Sequence, residues 1–224
     1  MVLEEGKKQD QEPLMILSAP MGEFQTNCYV IANPNTKEAV VVDPGAGADM
    51  ILDILKQEGL TLYAVMLTHG HVDHMGALED LRAALGDDLR VMAAGIEQEV
   101  LMVADYNLTE WTGKKYTTHA NMLFKLPKQE FEVLGEKMFF MLTPGHTKGS
   151  CCYYFPKYNW LFAGDTLFQG SVGRSDLPTG DEAALLQSVN EVLMELPDET
   201  QVYPGHGGFT TIGEERKTNP FVKR

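Results

Sequence analysis

A chain of 224 residues, 44% hydrophobic and 22% charged, has the length and composition of a folded globular protein with a sizeable core. Its formal net charge of −14 argues against nucleic acid as a partner, because phosphate binding requires a basic surface. No run approaches the roughly 18 apolar residues of a membrane span, and residues 1–8 lack the apolar stretch of a secretory signal. Three cysteines, two of them adjacent at Cys151 and Cys152, do not make a disulfide framework. The expectation is a cytoplasmic protein, monomer or dimer, with neither nucleic acid nor membrane among its partners.

Residues 1–12 are polar and are expected to form a flexible N-terminal segment, with one domain over 13–224. Residues 14–19, 27–32 and 38–42 read as strands of an antiparallel meander, punctuated by a Gly-containing turn and by Asn33-Pro34-Asn35. The third strand ends in Asp43-Pro44-Gly45. There Asp43 is either a turn former or an acceptor that orients a ligand histidine. Residues 49–57 have helical apolar spacing, and Gly59 stops them. A buried strand is expected over 63–67 and a helix over 75–85, with Leu78, Leu81 and Leu85 on one face.

Between those two lies Thr68-His69-Gly70-His71-Val72-Asp73-His74, three histidines and a carboxylate within six residues, where a strand hands over to a helix. Loops at strand ends let binding groups converge without disturbing a core, and imidazole with carboxylate suits zinc and its first-row neighbours. A strand over 90–93 and a helix over 96–104 follow. Residues 105–129 show little periodicity and scattered aromatics, the character of a lid or binding loop. They hold His119, expected to be solvated. Strands at 130–133, 138–142, 150–155, 160–163 and 201–203, with a helix over 181–196, complete the chain. His146, Asp165 and His206 each follow a strand and neighbour a glycine, as the central motif does. The candidate ligands are then His69, His71, Asp73, His74, His146, Asp165 and His206. Seven is too many for one tetrahedral ion and right for two ions that share a carboxylate.

The motifs Thr68-His69-x-His71-x-Asp73-His74, Pro144-Gly145-His146-Thr147-x-Gly149-Ser150, Gly164-Asp165-Thr166 and Gly205-His206 resemble the metallo-β-lactamase superfamily, from about residue 14 to the C-terminus. That resemblance implies an α/β architecture, the αβ/βα four-layer sandwich. Two mixed β-sheets pack face to face with helices outside and the metal site at one edge. It also implies that His69, His71 and His146 hold one metal, that Asp73, His74 and His206 hold a second, and that Asp165 bridges them. Asp43 takes the orienting role.

Within the superfamily, Gly164-Asp165-Thr166-Leu167-Phe168, Gly173-Arg174-Ser175-Asp176 and the tail from Thr211 to Phe221 look most like glyoxalase II and its short single-domain relatives. A secreted β-lactamase is not expected, since those carry a cysteine in place of Asp165. The resemblance implies a metal-dependent hydrolase that cleaves a small-molecule acyl-thioester such as S-lactoylglutathione. The nucleophile is a hydroxide bridging two divalent ions (zinc first, iron or manganese as alternatives), with Asp73 and Asp165 the catalytic carboxylates. Arg174 falls where those enzymes bind the glutathione backbone, and its fork suits a carboxylate. Its other reading is a surface ion pair with Asp176. Two departures bear on glutathione: too few residues follow His206 for the helical domain of full-length glyoxalase II, and Asp176 stands where those enzymes have a tyrosine. Persulfide dioxygenases resemble the same scaffold with a single iron, on His69, His146 and Asp165, and are the alternative reading.

Overall fold

The computed structural model describes residues 12–223; residues 1–11 of the N-terminal segment expected to be flexible lie outside them. Strands β1 (Met15–Met21), β2 (Thr26–Asn33), β3 (Glu38–Val42), β4 (Thr61–Met66), β5 (Val91–Ala94) and β6 (Met122–Phe124) form one sheet in that order. The first three are the antiparallel meander, and β3 to β6 run parallel. The second sheet contains β7 (Lys128–Val133), β8 (Glu136–Leu142), β9 (Cys151–Phe155) and β10 (Trp160–Gly164). After a small hairpin of β11 (Leu167–Phe168) and β12 (Ser171–Val172) it is completed by β13 (Gln201–Pro204) and β14 (Thr210–Thr211). Its order is β14-β13-β10-β9-β8-β7, with β10 and β13 parallel.

Alternation along the strands sets the layers. In β2, Tyr29 and Ile31 face the core between the sheets while Cys28, Val30 and Ala32 face helices. In β9, Cys151, Tyr153 and Phe155 point inward while Cys152 and Tyr154 point outward. Both faces are apolar, so these strands read as near-continuous hydrophobic runs. The outer face of the first sheet is covered by α1 (Ala48–Glu58) and α3 (Leu78–Leu85) through Ile51, Leu55, Leu78 and Leu81. The outer face of the second is covered by Val189, Leu193 and Ile212. The order is helix, sheet, sheet, helix. All three cysteines are buried and free, and no helix among the described residues is long and apolar enough to cross a membrane.

Several elements differ from the sequence reading. The helix expected over 75–85 is two pieces, α2 (Val72–Met75) and α3. At the break, a Cβ on Gly76 would stand 2.3 Å from the Gly45 carbonyl oxygen, and Ala77 N–H donates to the Pro44 carbonyl at 2.9 Å. The helix yields where it meets the Asp-Pro-Gly turn. The segment 96–104 opens with a 3₁₀ turn (Gly95–Glu97) before α4 (Gln98–Met102). Residues 105–129 are less irregular than expected, since they include a helical turn (Thr109–Thr112) and the edge strand β6. The helix over 181–196 is α5 (Glu182–Gln187) continued by a π turn (Ser188–Val192) and a 3₁₀ turn (Leu193–Glu195). A last helix, α6 (Ile212–Thr218), has no counterpart in the sequence reading; its N-cap is Thr211, whose side chain accepts from Glu214 N–H.

The carboxyl ends of β3, β4, β8, β10 and β13 open onto one edge, and every motif loop lies there. Phe140 stacks on Phe124 across the sheets with centroids 4.4 Å apart. A Phe140→Ala variant is expected to lose about 3–5 kcal/mol of stability. Chemical denaturation would show it as a lower midpoint, with metal bound per folded chain unchanged.

Candidate metal centre

His69 and His71 follow β4, and His146 follows β8. Their ring nitrogens form a triangle: His69 Nε2 to His71 Nδ1 is 3.1 Å, His71 Nδ1 to His146 Nε2 is 2.9 Å, and His146 Nε2 to His69 Nε2 is 3.2 Å. All three residues are buried. A metal held about 2.0–2.1 Å from each nitrogen in a tetrahedron has edges of roughly 3.3 Å, so the triangle has the size of a coordination face. A second group is formed by Asp73, His74 and His206. Asp73 Oδ2 lies 3.1 Å from His206 Nε2 and 3.5 Å from His74 Nε2. Asp165, just past β10, stands between the groups. Its Oδ2 is 3.5 Å from His146 Nε2 and 3.6 Å from His206 Nε2, and its Oδ1 is 3.3 Å from His74 Nε2.

Despite that distance, His74 Nε2 and Asp165 Oδ1 are buried without a hydrogen bond of acceptable geometry. Leaving such groups unpaired costs about 1–3 kcal/mol each, and a cation would satisfy both. The seven donors fit divalent ions of the zinc, iron and manganese kind. Burial, reinforced by neighbouring imidazoles, drives His69 well below its ordinary pKa and His71 down to about 3. Both therefore present neutral lone pairs. At His74 burial opposes charge, but Asp73, Asp165 and Asp43 outweigh it and raise the pKa. Burial likewise works against the Asp73 carboxylate, and His74 with His206 overcomes it and holds the group well below the usual carboxylate range.

Behind the donors, other side chains fix the rings. Asp43 adopts a left-handed backbone (φ 49°), which aspartate tolerates. Its Oδ1 accepts from Thr68 N–H at 2.8 Å, and its Oδ2 accepts from Thr68 Oγ1 at 2.6 Å and from His74 Nδ1 at 2.9 Å. Because the Thr68 proton goes to Asp43, its oxygen is left to accept from His69 Nδ1 at 3.2 Å. His146 Nδ1 donates to the Arg174 carbonyl at 2.7 Å. Each of these three histidines thus has Nδ1 occupied and Nε2 turned to the centre.

Three supporting residues were missed in the sequence. Thr26 Oγ1 donates to Asp73 Oδ2 at 2.9 Å. Asn27 Nδ2 donates to the Pro204 and Gly207 carbonyls, holding the His206 loop to β2. Glu97 is fully buried; its Oε1 accepts from Gly70 N–H at 2.7 Å, and both its oxygens accept from Thr147 Oγ1. It therefore clamps the loop between His69 and His71 to the loop after His146. A Cβ at position 149 would stand 2.5 Å from Glu97 Oε2, which accounts for glycine there. Burial raises the Glu97 carboxyl to about 7 even though Gly70 and Thr147 donate to it. In sequence this residue sits inside an apparent surface helix, and nothing local marks it.

A cleft of about 340 Å³ opens onto the donors, with Arg174 on its wall. The guanidinium forks onto Asp176 at 2.7 and 2.9 Å, so in this structure it makes the ion pair. His119 is exposed and apart from the cluster.

A family model described as the metallo-beta-lactamase superfamily matches residues 21–206. Hydroxyacylglutathione hydrolase GloC of Haemophilus influenzae is 31% identical over 210 residues, which cover 91% of this chain and 95% of GloC. The crystal structure of BLEG-1, described as a B3 metallo-beta-lactamase, matches with a TM-score of 0.85 at 38% identity, over 92% of this chain and 99% of its own. TTHA1623 in a di-iron-bound form matches with a TM-score of 0.78 at 35% identity, again over 92% and 99%.

Removing the clamp should loosen the centre without unfolding it. Glu97→Ala is expected to weaken metal binding about 10–100-fold, read by competition with a chromophoric chelator. Glu97→Gln, which keeps an acceptor for Gly70 and Thr147, should lose less. Circular dichroism of both should match the parent.

Proposed function

The chain belongs to the metallo-beta-lactamase superfamily, whose fold of two mixed sheets and outer helices it shares, and we propose that within it the protein is a two-ion hydrolase of acyl-thioesters, with S-lactoylglutathione as the reference substrate. The observation that carries this reading is the position of Asp165 between two complete donor trios. His69, His71 and His146 would hold one ion, Asp73, His74 and His206 the other, and Asp165 would touch both. Divalent ions bound there supply a water acidified to near-neutral pKa and a Lewis acid for the acyl carbonyl.

The protein's own part is to hold, orient and exclude. Asp43, Thr68 and the Arg174 carbonyl fix three imidazoles, and Thr26 fixes Asp73. Among the described residues, no serine, threonine, cysteine or lysine lines the cleft, so the nucleophile comes from solvent and not from a side chain. The cysteine thiols are buried, and burial pushes Cys152 up to about 11, far from a reactive thiolate. Apolar walls beside the donors reduce the local dielectric and strengthen each electrostatic contact.

GloC supports the thioester, and the di-iron form of TTHA1623 supports iron beside zinc as a candidate metal. The likeness to BLEG-1 runs against the expected distance from β-lactamases and makes a β-lactam amide the competing acyl substrate. The single-iron dioxygenase reading uses His69, His146 and Asp165 alone, and the number of ions bound separates it from the two-ion hydrolase.

Protein purified without chelator should carry about two metal equivalents per chain and hydrolyse S-lactoylglutathione, losing turnover with EDTA and regaining it with zinc. One iron per chain with oxygen uptake on glutathione persulfide, or turnover of a cephalosporin and no thioester, would overturn the proposal. Asp165→Asn should lower kcat/KM by about a hundredfold or more and lower bound metal with it.

A further inference from the structure

We infer that the thioester this site prefers carries an uncharged, apolar thiol and not one bearing carboxylates or phosphates; the inference rests on the hydrolase reading above. Apart from the metal donors and Arg174, the cleft is walled by Phe24, Val72, Leu108, Trp111, Phe168 and Leu177. Once the donors are committed to ions, Arg174 is the one cation on these walls among the described residues, and Asp176 already takes the Nε–Nη2 edge of its guanidinium. Glutathione brings two carboxylates, and coenzyme A brings phosphates. Each would have to compete with Asp176 for the one cation present.

Two large aromatics stand at the mouth from separate segments: Phe24 from the β1–β2 turn, 46% exposed, and Trp111 from the helical turn, 57% exposed. A single exposed aromatic is ordinary. Two flanking one cleft that leads to a metal-binding floor are an apolar recognition surface.

The Trp111 wall is also held in place. The buried Asn107 side chain donates to the Leu101 and Tyr116 carbonyls, and the backbone carbonyl of Asn107 accepts from Val72 N–H at 2.8 Å. Leu108 is thereby kept at φ 61°, a left-handed conformation that leucine adopts only when its surroundings impose it. Leu108 and Trp111 are thus pinned to α2, the helix that carries Asp73 and His74. This wall is preformed.

A second cavity of about 300 Å³ shares Phe24, Val72 and Asp73 with the first and runs on past Gly45, Ala46 and Thr112. Its charged residues are Glu23 and Asp73, with no cation among the described residues. A thioester laid across the two cavities places its carbonyl near Asp73 and one arm in each. Neither cavity rewards an anionic arm. In the reaction, water oxygen bonds to the acyl carbon as the carbon–sulfur bond breaks. The thiolate leaves with the bonding pair and takes up a proton, giving carboxylate, thiol and a net proton.

The test compares S-lactoylglutathione with the S-lactoyl thioester of benzyl mercaptan on the metal-loaded enzyme. The acyl group is the same, and both are alkyl thioesters. The KM of the benzyl compound should be about tenfold the lower, with similar kcat, and Trp111→Ala should erase most of that difference by raising the benzyl KM. Trp111 is exposed, so the variant should fold. A lower KM for S-lactoylglutathione, or a Trp111→Ala variant whose benzyl KM is unchanged, would overturn this inference and leave the hydrolase reading standing. No turnover of either thioester would overturn both.

Discussion

The carboxylate of Asp43 receives three hydrogen bonds at the end of β3, two from Thr68 and one from His74. Through the Thr68 hydroxyl it also reaches His69. One buried group therefore orients a histidine in each donor trio and ties two parallel strands together at the edge where they end. The arrangement depends on charge as much as on shape. A carboxylate inside a protein is costly unless its lone pairs are occupied, and here the same donors that satisfy Asp43 are the residues whose orientation the centre requires. The backbone at Asp43 is left-handed, so the carboxylate turns back over its own strand to meet the next one.

The two sheets divide the work. The first brings Asp43 and the 69–74 loop, the second brings His146, Asp165 and His206, and the apolar layer between the sheets fixes their separation. Hydrogen bonds also cross the gap. Asn27 and Tyr29 on β2 both reach the Pro204 carbonyl, and Glu97 reaches Thr147. The trios sit in contrasting fields: burial lowers the pKa of His69 and His71, while three carboxylates raise that of His74.

Much of this was legible in the sequence because it is local. Strands apolar on both faces announce themselves as unbroken runs, and three histidines and an aspartate in six residues can hardly be a turn by chance. The seven donors could be named because the central motif, His146, Asp165 and His206 each follow a strand beside a glycine. What escaped depends on contacts between distant positions. Glu97 resembles a helix surface charge until Gly70 and Thr147 fold onto it. The helix over 75–85 has an unbroken apolar face, and only the close approach of Gly45 explains its break. β6 is three residues long, too short for a period of two to register. Arg174 had two sequence readings, and a neighbour two positions away decides which one its guanidinium shows.

The parallel pairing of β10 with β13 and the spread of donors from His69 to His206 have a consequence for how the chain reaches its native state. Contacts so far apart in sequence close late, because the entropy of large loops is lost before their contacts form. Neither half of the chain owns a complete set of donors, so a partly folded chain offers an ion only fragments of its site. Metal binding then selects the finished molecule, and free metal in excess of the dissociation constant shifts the folding equilibrium by mass action. The centre that carries out the chemistry is in this sense also the last check on assembly.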